Sequence, residues 1–247
     1  MSMSQLHSKL ASLLSKAQHT VVFTGAGCST EAGIPDFRSR DGWWQKIDPA
    51  MLANPHAIYA HYPLFHGFYA YRVEQLRSIT PHAGHRVLAD WQTRGLVKHL
   101  ITQNVDGLHQ MAGNRDVIEL HGTIRNFRCH ECQCAVSESQ FLSAEPCPRC
   151  GAEQRLRANV VMFGESLPSA ALEMAQTCLQ ATDLVLVIGS SLQVYPANQL
   201  PQICRGPKVL INNEPVGGDA GHFDLFIEGT AGEVLLQVNQ LLDESVL

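Results

Sequence analysis

The sequence predicts an α/β fold: a Rossmann-like parallel sheet with helices on both faces, joined to a smaller helical and cysteine-rich module. Three observations lead to this prediction. Short apolar segments of strand length alternate with amphipathic helical segments, polar or glycine-rich motifs follow most of these strands, and two segments of different character interrupt the alternation. Continuously apolar strands of this kind are typical of parallel sheets covered on both faces.

The first half of the chain supplies two helix–strand pairs. A stripe of leucines from Leu6 to Leu14 predicts an N-terminal helix, and TVVFT at 20–24 predicts the strand that follows it. HRVLADWQTRG at 85–95 predicts a second helix that ends at its glycine, and LVKHLIT at 96–102 predicts the next strand.

The second half continues the same alternation. Further strand candidates are DVIEL (116–120), NVVMF (159–163), DLVLVIG (183–189), KVLIN (208–212) and FDLFI (223–227). Amphipathic helices are predicted at 169–181 and 231–242. Because parallel strands end at one edge of a sheet, the motifs after them predict a single crevice. Those motifs are GAGCS, QNVDGLH, HG, FGE, GSSLQVYP and NNE.

Length, composition and charge limit the class of protein. The chain has 247 residues, a hydrophobic fraction of 45% and a formal charge of −5, which suits one α/β domain with a smaller insertion. The negative charge argues against a general nucleic-acid-binding surface. The N-terminal segment lacks the features of a signal peptide, and no segment reaches the apolar length of a membrane span. We therefore expect a cytoplasmic protein with no nucleic-acid or membrane partner.

The first strand leads into a motif that resembles a nucleotide site and then departs from it. In VVFTGAGCSTEAGIPDFR, Gly25 and Gly27 have the spacing that lets backbone approach a phosphate. Gly33 comes too late for the G-x-G-x-x-G fingerprint of dinucleotide-binding dehydrogenases. Charged residues follow, beginning with Asp36 and Arg38. A tight turn alone explains the glycines but not these charged residues.

Five of the eight cysteines fall within one short window at 129–150. Two C-x-x-C pairs, separated by fourteen residues, suit one tetrahedral zinc ion with no open coordination position, and thus a structural zinc ribbon. The favoured ligands are Cys129, Cys132, Cys147 and Cys150. The alternatives are a cluster of free or redox-active thiols, or a role for the extra Cys134 in place of a predicted ligand.

The other interruption, residues 41–78, contains a predicted helix with an arginine on its apolar face. Tyr69, Arg72 and Leu76 share one face with two phenylalanines at helical spacing. A guanidinium there needs water or an anionic partner. With Tyr69 one turn away, Arg72 would form a two-point site for a carboxylate. From periodicity alone, the favoured alternative is a structural arginine that pairs with an internal acidic residue or simply reaches water.

These interruptions define the predicted domain organisation. The Rossmann-like domain comprises 1–41, 79–124 and 158–247, and the small helical and zinc-binding module comprises 42–78 and 125–157.

An ordered set of motifs resembles the sirtuins, the NAD-dependent protein-lysine deacylases. The set is GAGCSTEAGIPDFR, TQNVDGLH, ELHG, the paired cysteines, VVMFGE, GSSLQVYP and INNE, and it extends from about Val21 to Gly232. FYAYR followed by PHAGHRVLA is similar to the subgroup in which Tyr-x-x-Arg recognises succinyl and malonyl groups. The chain departs from the family pattern at Cys28, Ala158 and Asn213.

The resemblance implies NAD as a cosubstrate, beside the structural zinc ion. Phe37 would shield the reactive ribose, and Asn104 and Asp106 would bind the ribose and the nicotinamide carboxamide. Capping of the following helix remains the alternative for Asn104 and Asp106. For Ser190 and Ser191 the alternative is turn formation, and for Glu214 it is ordinary surface charge. The implied cofactor-binding residues are Gly25, Ala26, Gly27, Glu31, Asp36, Phe37, Arg38, Gln103, Asn104, Asp106, Gly189, Ser190, Ser191, Asn212, Asn213, Glu214 and Ala231.

The resemblance also implies the reaction and its substrate. His121, with Asn104 as the second catalytic residue, would act as the base that helps to deprotonate a ribose hydroxyl. The products would be nicotinamide, O-acyl-ADP-ribose and free lysine. Acyl-lysine proteins or peptides would bind as an added strand. The implied substrate residues are Tyr69, Arg72, Val161, Phe163, Gly164, Glu165 and Val194.

Other activities remain open on the sequence alone. As a deacylase, the enzyme would remove mainly succinyl and malonyl groups and also acetyl groups. The alternative within this class is an enzyme that is mainly a deacetylase. Mono-ADP-ribosylation uses the same glycosidic chemistry. A dehydrogenase is disfavoured by the late third glycine, and a non-catalytic zinc-ribbon adaptor would leave NAD intact.

Overall fold

The structure is a computed structural model that describes residues 1–37, 42, 45, 48–216 and 222–244. Its strands are β1 (Thr20–Thr24), β2 (His99–Thr102), β3 (Ile118–Glu119), β4 (Gly122–Cys129), β5 (Ala135–Val136), β6 (Leu156–Val160), β7 (Leu184–Ile188), β8 (Lys208–Asn212) and β9 (Leu225–Glu228). Its α-helices are α1 (Met3–Lys16), α2 (Pro49–Leu52), α3 (His56–Ala60), α4 (Tyr62–Leu76), α5 (Ala83–Thr93), α6 (Leu108–Ala112), α7 (Glu138–Leu142), α8 (Ser169–Gln180) and α9 (Ala231–Glu244). In the described residues, 3₁₀ helices span Ala26–Ala32 and Ala197–Ile203.

The larger sheet is parallel and has six strands in the order β3-β2-β1-β7-β8-β9. β1 lies at its centre, where Val22 is in register with Leu100 of β2 and Leu186 of β7. The chain builds outward in one direction through β2 and β3, and in the other through β7, β8 and β9. A reversal of this kind opens a crevice beyond the carboxyl ends of the two strands beside it.

Helices cover both faces of this sheet, as the sequence predicts. Val22 faces a core that contains Leu10 of α1, Trp91 of α5 and Leu235 of α9. Its neighbour on the same strand, Phe23, faces the opposite core with α8 and the 3₁₀ helix Ala197–Ile203. All five residues of β1 are buried, which explains why its sequence is an unbroken apolar run ending in threonine.

The smaller sheet is antiparallel, with the strand order β5-β4-β6. A third core joins it to α4 and α7 through rings such as Phe65, Phe127 and Phe141. The prediction that the strand NVVMF belongs to the parallel sheet is wrong. β6 covers 156–160 and pairs with β4, with Gly122 opposite Val160, because the chain turns out of the large sheet immediately after β3. Residues 161–163 continue without regular structure.

The predicted division into two modules stays a prediction. Its boundaries at 124 and 157 fall inside β4 and β6. The small sheet therefore begins before residue 125 and ends after residue 157, the limits predicted for this part of the module. None of the helices in the described part of the chain has the length and apolar character that a membrane crossing requires.

Candidate active site

A cavity of about 430 Å³ opens at the carboxyl ends of the central strands. It brings together most of the predicted site residues: Gly25, Ala26, Gly27, Asp36, Phe37, Tyr69, Arg72, Gln103, Asn104, His121, Val161, Phe163, Gly164, Glu165, Gly189, Ser190, Ser191, Val194, Asn212, Asn213, Glu214 and Ala231. Residues from every predicted strand-end motif therefore meet in one crevice. The lining also includes residues that the sequence analysis did not assign to a role, among them Thr30, Ala53, Leu167 and Thr230.

The glycine motif is packed against the end of β7. The Gly27 N–H donates to the Gly189 carbonyl at 2.8 Å, and a Cβ added at Gly25 or Gly27 would lie 2.8 or 2.9 Å from that oxygen. Each glycine thus permits a close approach of two loops. The short 3₁₀ helix begins directly at Ala26, so helical backbone starts earlier than the position of Gly33 suggests. The N–H groups of both glycines already donate to carbonyls of the protein. The expectation that the backbone at 25–27 forms a cradle for a phosphate group stays a prediction.

His121 lies at the turn between the two sheets, where its ring can act as a base. Its Nδ1 is 3.0 Å from the carbonyl oxygen of Gln103. Because a carbonyl only accepts, Nδ1 must carry the proton in this contact, and Nε2 is the basic nitrogen of the neutral ring. Gln103 is fixed in turn by donation from its Nε2 to Ser190 Oγ at 2.8 Å.

A buried polar network lies beneath the cavity. Ser29 Oγ donates to Asp106 Oδ2 at 2.8 Å, and Asn104 Nδ2 donates to Ser29 Oγ at 3.2 Å. Burial raises the pKa of Asp106, although hydrogen bonds from Leu108 and Ser29 oppose the rise. Sequence reasoning assigned no role to Ser29, since a serine in a glycine turn carries no distinctive signal.

Asp106 lines a second cavity of about 470 Å³ rather than the first. That second cavity shares Phe37, Arg72 and Asn104 with the main one. Asp106 Oδ1 also accepts from the Leu108 N–H at 2.9 Å, so the capping alternative is present in the structure.

Another predicted cofactor residue, Glu31, is not among the described residues that line the cavity. Glu31 accepts from Thr230 Oγ1 at 2.9 Å and from the Gly232 N–H at 2.6 Å, so its carboxylate holds the start of α9. Arg38 lies outside the described residues. Their roles in cofactor binding stay predictions.

Tyr69 and Arg72 of α4 both face the main cavity. Tyr69 is buried and Arg72 is half-buried, with the guanidinium carbon 5.3 Å from the Phe37 ring centre and 5.6 Å from that of Phe68. Burial lowers the pKa of Arg72, while Tyr69 and Asp106 act in the opposite direction. Among the described residues no carboxylate forms an ion pair with Arg72, so the internal partner favoured by periodicity is not found there.

The predicted zinc ligands form a compact cluster at the end of the small sheet. The Sγ atoms of Cys129, Cys132, Cys147 and Cys150 all lie within 4.8 Å of one another. Tetrahedral coordination with Zn–S bonds of about 2.3 Å requires sulfur atoms roughly 3.8 Å apart. The observed 3.8 Å from Cys129 to Cys150 and 3.6 Å from Cys132 to Cys147 fit that requirement. The four cysteines are therefore in position to bind one zinc ion.

Comparisons with known proteins identify the family. A model of the Sir2 family matches residues 25–196. The chain is 46% identical to NAD-dependent protein deacetylase 1 of Geobacillus kaustophilus, over 95% of this chain and 98% of that protein. It is 42% identical to an NAD-dependent protein deacylase of Thermococcus kodakarensis, over 91% of each chain.

A solved structure supports the same assignment. A Sir2 complex with a p53 peptide and NAD+ superposes with a TM-score of 0.86 and 32% identity, over 100% of both chains. The chain belongs to the Sir2 family, the family of the sirtuins, and it has that family's Rossmann-like fold.

Proposed function

We propose that this chain is a protein-lysine deacylase that prefers succinyl and malonyl groups and also removes acetyl groups. The coarser activity, NAD-dependent protein deacylation, follows from its membership of the Sir2 family. The acyl preference is the finer part of the proposal. It rests on one observation, the placement of Tyr69 and Arg72 in the cavity wall.

Arg72 has the properties of an anion-binding group. Its guanidinium lies over the rings of Phe37 and Phe68, a contact that stabilises a cation without neutralising it. A carboxylate at the end of an acyl chain would supply a counter-charge to Arg72 and accept two parallel hydrogen bonds. The Tyr69 hydroxyl, on the adjacent turn of α4, would donate a third. An acetyl group offers no anion to either residue.

The remaining lining residues have roles that suit the cosubstrate and the reaction. NAD supplies an ADP-ribosyl group that accepts the acyl group as nicotinamide leaves. The cradle at 25–27 and the side chains of Ser190 and Asn212 would hold NAD. His121 would take a proton from a ribose hydroxyl at Nε2, because its Nδ1 is committed to Gln103 O. Asn104 would orient the ribose beside it.

The peptide would bind between residues 161–165 and 193–195, two segments that both line the cavity. A Sir2 enzyme of the same fold binds a p53 peptide, which supports a peptide substrate here. Addition as a strand would use backbone groups and tolerate many sequences.

The first experiment compares one lysine peptide carrying succinyl, malonyl or acetyl, with and without NAD, by mass spectrometry. Arg72→Met keeps a long apolar stem and removes the charge. We expect kcat/KM for the succinyl peptide to fall about 100-fold, as for loss of a charged hydrogen-bonded partner, and that for acetyl to change about threefold or less. Arg77→Met, which removes an exposed arginine paired with Glu138 at the end of the same helix, is the matched control.

Equal loss of both activities in Arg72→Met would refute the carboxylate site and leave a deacylase with a structural arginine. Transfer of label from NAD to protein without loss of the acyl group would instead support mono-ADP-ribosylation, which the same NAD cradle could serve.

A further inference from the structure

Arg157 is a charged residue to which the proposed reaction gives no role. It lies on β6 with a side chain that is 0% exposed, and a buried guanidinium is costly unless its donors are paired. Nη1 and Nη2 donate to the two carboxylate oxygens of Glu165 at 2.6 and 2.8 Å. Nη2 also donates to the Val160 carbonyl, and Nε to that of Ala158. The guanidinium is therefore locked in place by a bidentate ion pair and two carbonyl groups.

Glu165 transmits this constraint to the backbone of the preceding residues. Its Oε2 accepts from the Met162 N–H at 2.8 Å, and its own N–H donates to the Met162 carbonyl at 3.0 Å. The turn between them contains Gly164, whose φ of +87° is in the left-handed region. Two hydrogen bonds thus close one turn, and one of them is made by the carboxylate that Arg157 holds.

The turn belongs to the cavity wall and is tied to the catalytic region. Val161, Phe163 and Gly164 line the cavity. The Val161 N–H donates to the His121 carbonyl at 2.8 Å, and the Phe163 N–H donates to the Ala53 carbonyl at 2.7 Å. Residues 161–165 have no regular ladder of their own, so their shape depends on these few bonds.

We propose that Arg157 and Glu165 are positioning residues that hold residues 161–165 as a rigid edge for the peptide backbone on either side of the acyl-lysine. The inference rests on the proposed binding of the peptide as an added strand. Glu165 acts through the Met162 N–H rather than by touching the acyl group. A preformed edge binds more tightly because little backbone entropy is lost on binding. The benefit falls on the flanking backbone and not on the acyl-lysine side chain.

The test uses Glu165→Gln, which keeps the shape of the side chain but presents an amide N–H to a guanidinium that can only donate. Steady-state kinetics are measured on an acetyl-lysine peptide and on a single acetyl-lysine blocked at both ends. We expect KM for the peptide to rise about tenfold, while KM for the single residue and for NAD changes by about twofold or less. The wild-type preference for the peptide over the single residue then largely disappears.

Arg157→Lys is the second variant, because it keeps the positive charge but cannot make two parallel hydrogen bonds to the Glu165 carboxylate. The double variant is expected to raise KM for the peptide no further than the more strongly affected single variant, since the two residues act as one unit. Glu131→Gln is the matched control. It disturbs another arginine–glutamate pair, with Arg155 Nε at 3.1 Å from Glu131 Oε1, which does not line the cavity.

Two results would overturn the inference. If Glu165→Gln and Arg157→Lys retain the wild-type preference for the peptide, the ion pair does not set the edge. If both variants raise KM for NAD and for the single residue as much as for the peptide, the pair is generally structural. A wild-type enzyme with no preference for the peptide would instead refute strand addition itself. Thermal melting verifies that each variant is folded.

Discussion

At the scale of single residues, the fifth cysteine of the cluster bears on the choice of zinc ligands. Cys134 Sγ lies 3.4 Å from Cys147 Sγ, closer than the roughly 3.8 Å between two thiolates on one zinc ion. The group in which all four sulfur atoms are mutually close contains Cys129, Cys132, Cys147 and Cys150 but not Cys134. The geometry therefore favours the two C-x-x-C pairs, with Cys134 as a neighbour of the site.

Removal of single cysteines tests this choice. We expect Cys147→Ser to lose the zinc ion and to melt at a much lower temperature, because a structural zinc site contributes on the order of 10 kcal/mol to folding. Cys134→Ser should retain one zinc per chain and melt within about 3 °C of the wild type. Elemental analysis and thermal melting give both readouts. Zinc loss in Cys134→Ser would show that this thiol is a ligand.

Residues whose roles depend on local spacing could be predicted from the sequence, and residues with distant partners could not. The cysteine pairs and the glycine motif are visible within a few positions. The partners of Glu31 lie about 200 positions away on α9, so no local pattern connects them. Ser29 likewise acquires its partners Asn104 and Asp106 only through folding.

At the scale of elements, the loop after β1 and the end of β7 depend on each other. The approach of Gly25 and Gly27 to Gly189 leaves no room for a side chain. The same bare backbone forms the proposed phosphate cradle. The packing of this loop rests on these two glycines, and under the proposed function the binding of NAD would rest on them as well.

Gly27→Ala tests this dependence. Its added Cβ would lie 2.9 Å from the Gly189 carbonyl oxygen, so we expect a loss of about 1–3 kcal/mol in the free energy of unfolding. NAD affinity, measured by calorimetry, should fall as well. The control is Gly67→Ala in α4, where nothing lies within 4 Å of the added atom and the helix should gain about 0.5–1 kcal/mol. Unchanged NAD affinity in a folded Gly27→Ala would contradict the cradle.

The strands illustrate what an apolar run can and cannot specify. TVVFT and LVLVI could be placed in a parallel sheet because both their faces are apolar and helices flank them. NVVMF has a similar composition, yet its first half joins β4 in the small sheet. An apolar run predicts a strand, whereas its partner strand depends on the path of the chain between β3 and β6.

At the scale of the whole molecule, three histidine rings pack together, two of them buried. The rings of His82 and His85 are 4.3 Å apart, and those of His85 and His109 are 4.8 Å apart. Burial, together with neighbouring positive charge, lowers the pKa of His85 to about 2 and that of His109 to about 3. The His85 and His109 rings are therefore neutral in the folded protein and become charged when it unfolds in mild acid.

The sign of the resulting pH dependence follows from linkage. Both folded-state pKa values lie below the ordinary 6.5, so the unfolded chain binds more protons as the pH falls through 6.5. The stability is fully present above pH 6.5. We expect about 3 kcal/mol to be lost by pH 5.5 from these two groups. Urea unfolding at pH 7.5 and 5.5 measures the difference.

A matched pair of variants identifies the source of this acid sensitivity. His85→Gln should remove about half of the loss, and His222→Gln, at a residue whose side chain is 81% exposed, should leave it unchanged. An equal pH dependence in all three proteins would assign the effect to other groups.

The hydrogen bond from the Val161 N–H to the His121 carbonyl has a consequence for re-engineering the chain. At this joint β4 begins one residue after His121, and β6 ends one residue before Val161. A graft of the segment between β4 and β6 from a relative would have to preserve both ends of their pairing, Gly122 with Val160 and Cys129 with Leu156, and the register shift that separates them. A change at the Gly122–Val160 end of this pairing would move His121 and residues 161–165 together, because the Val161 N–H is bonded to the His121 carbonyl.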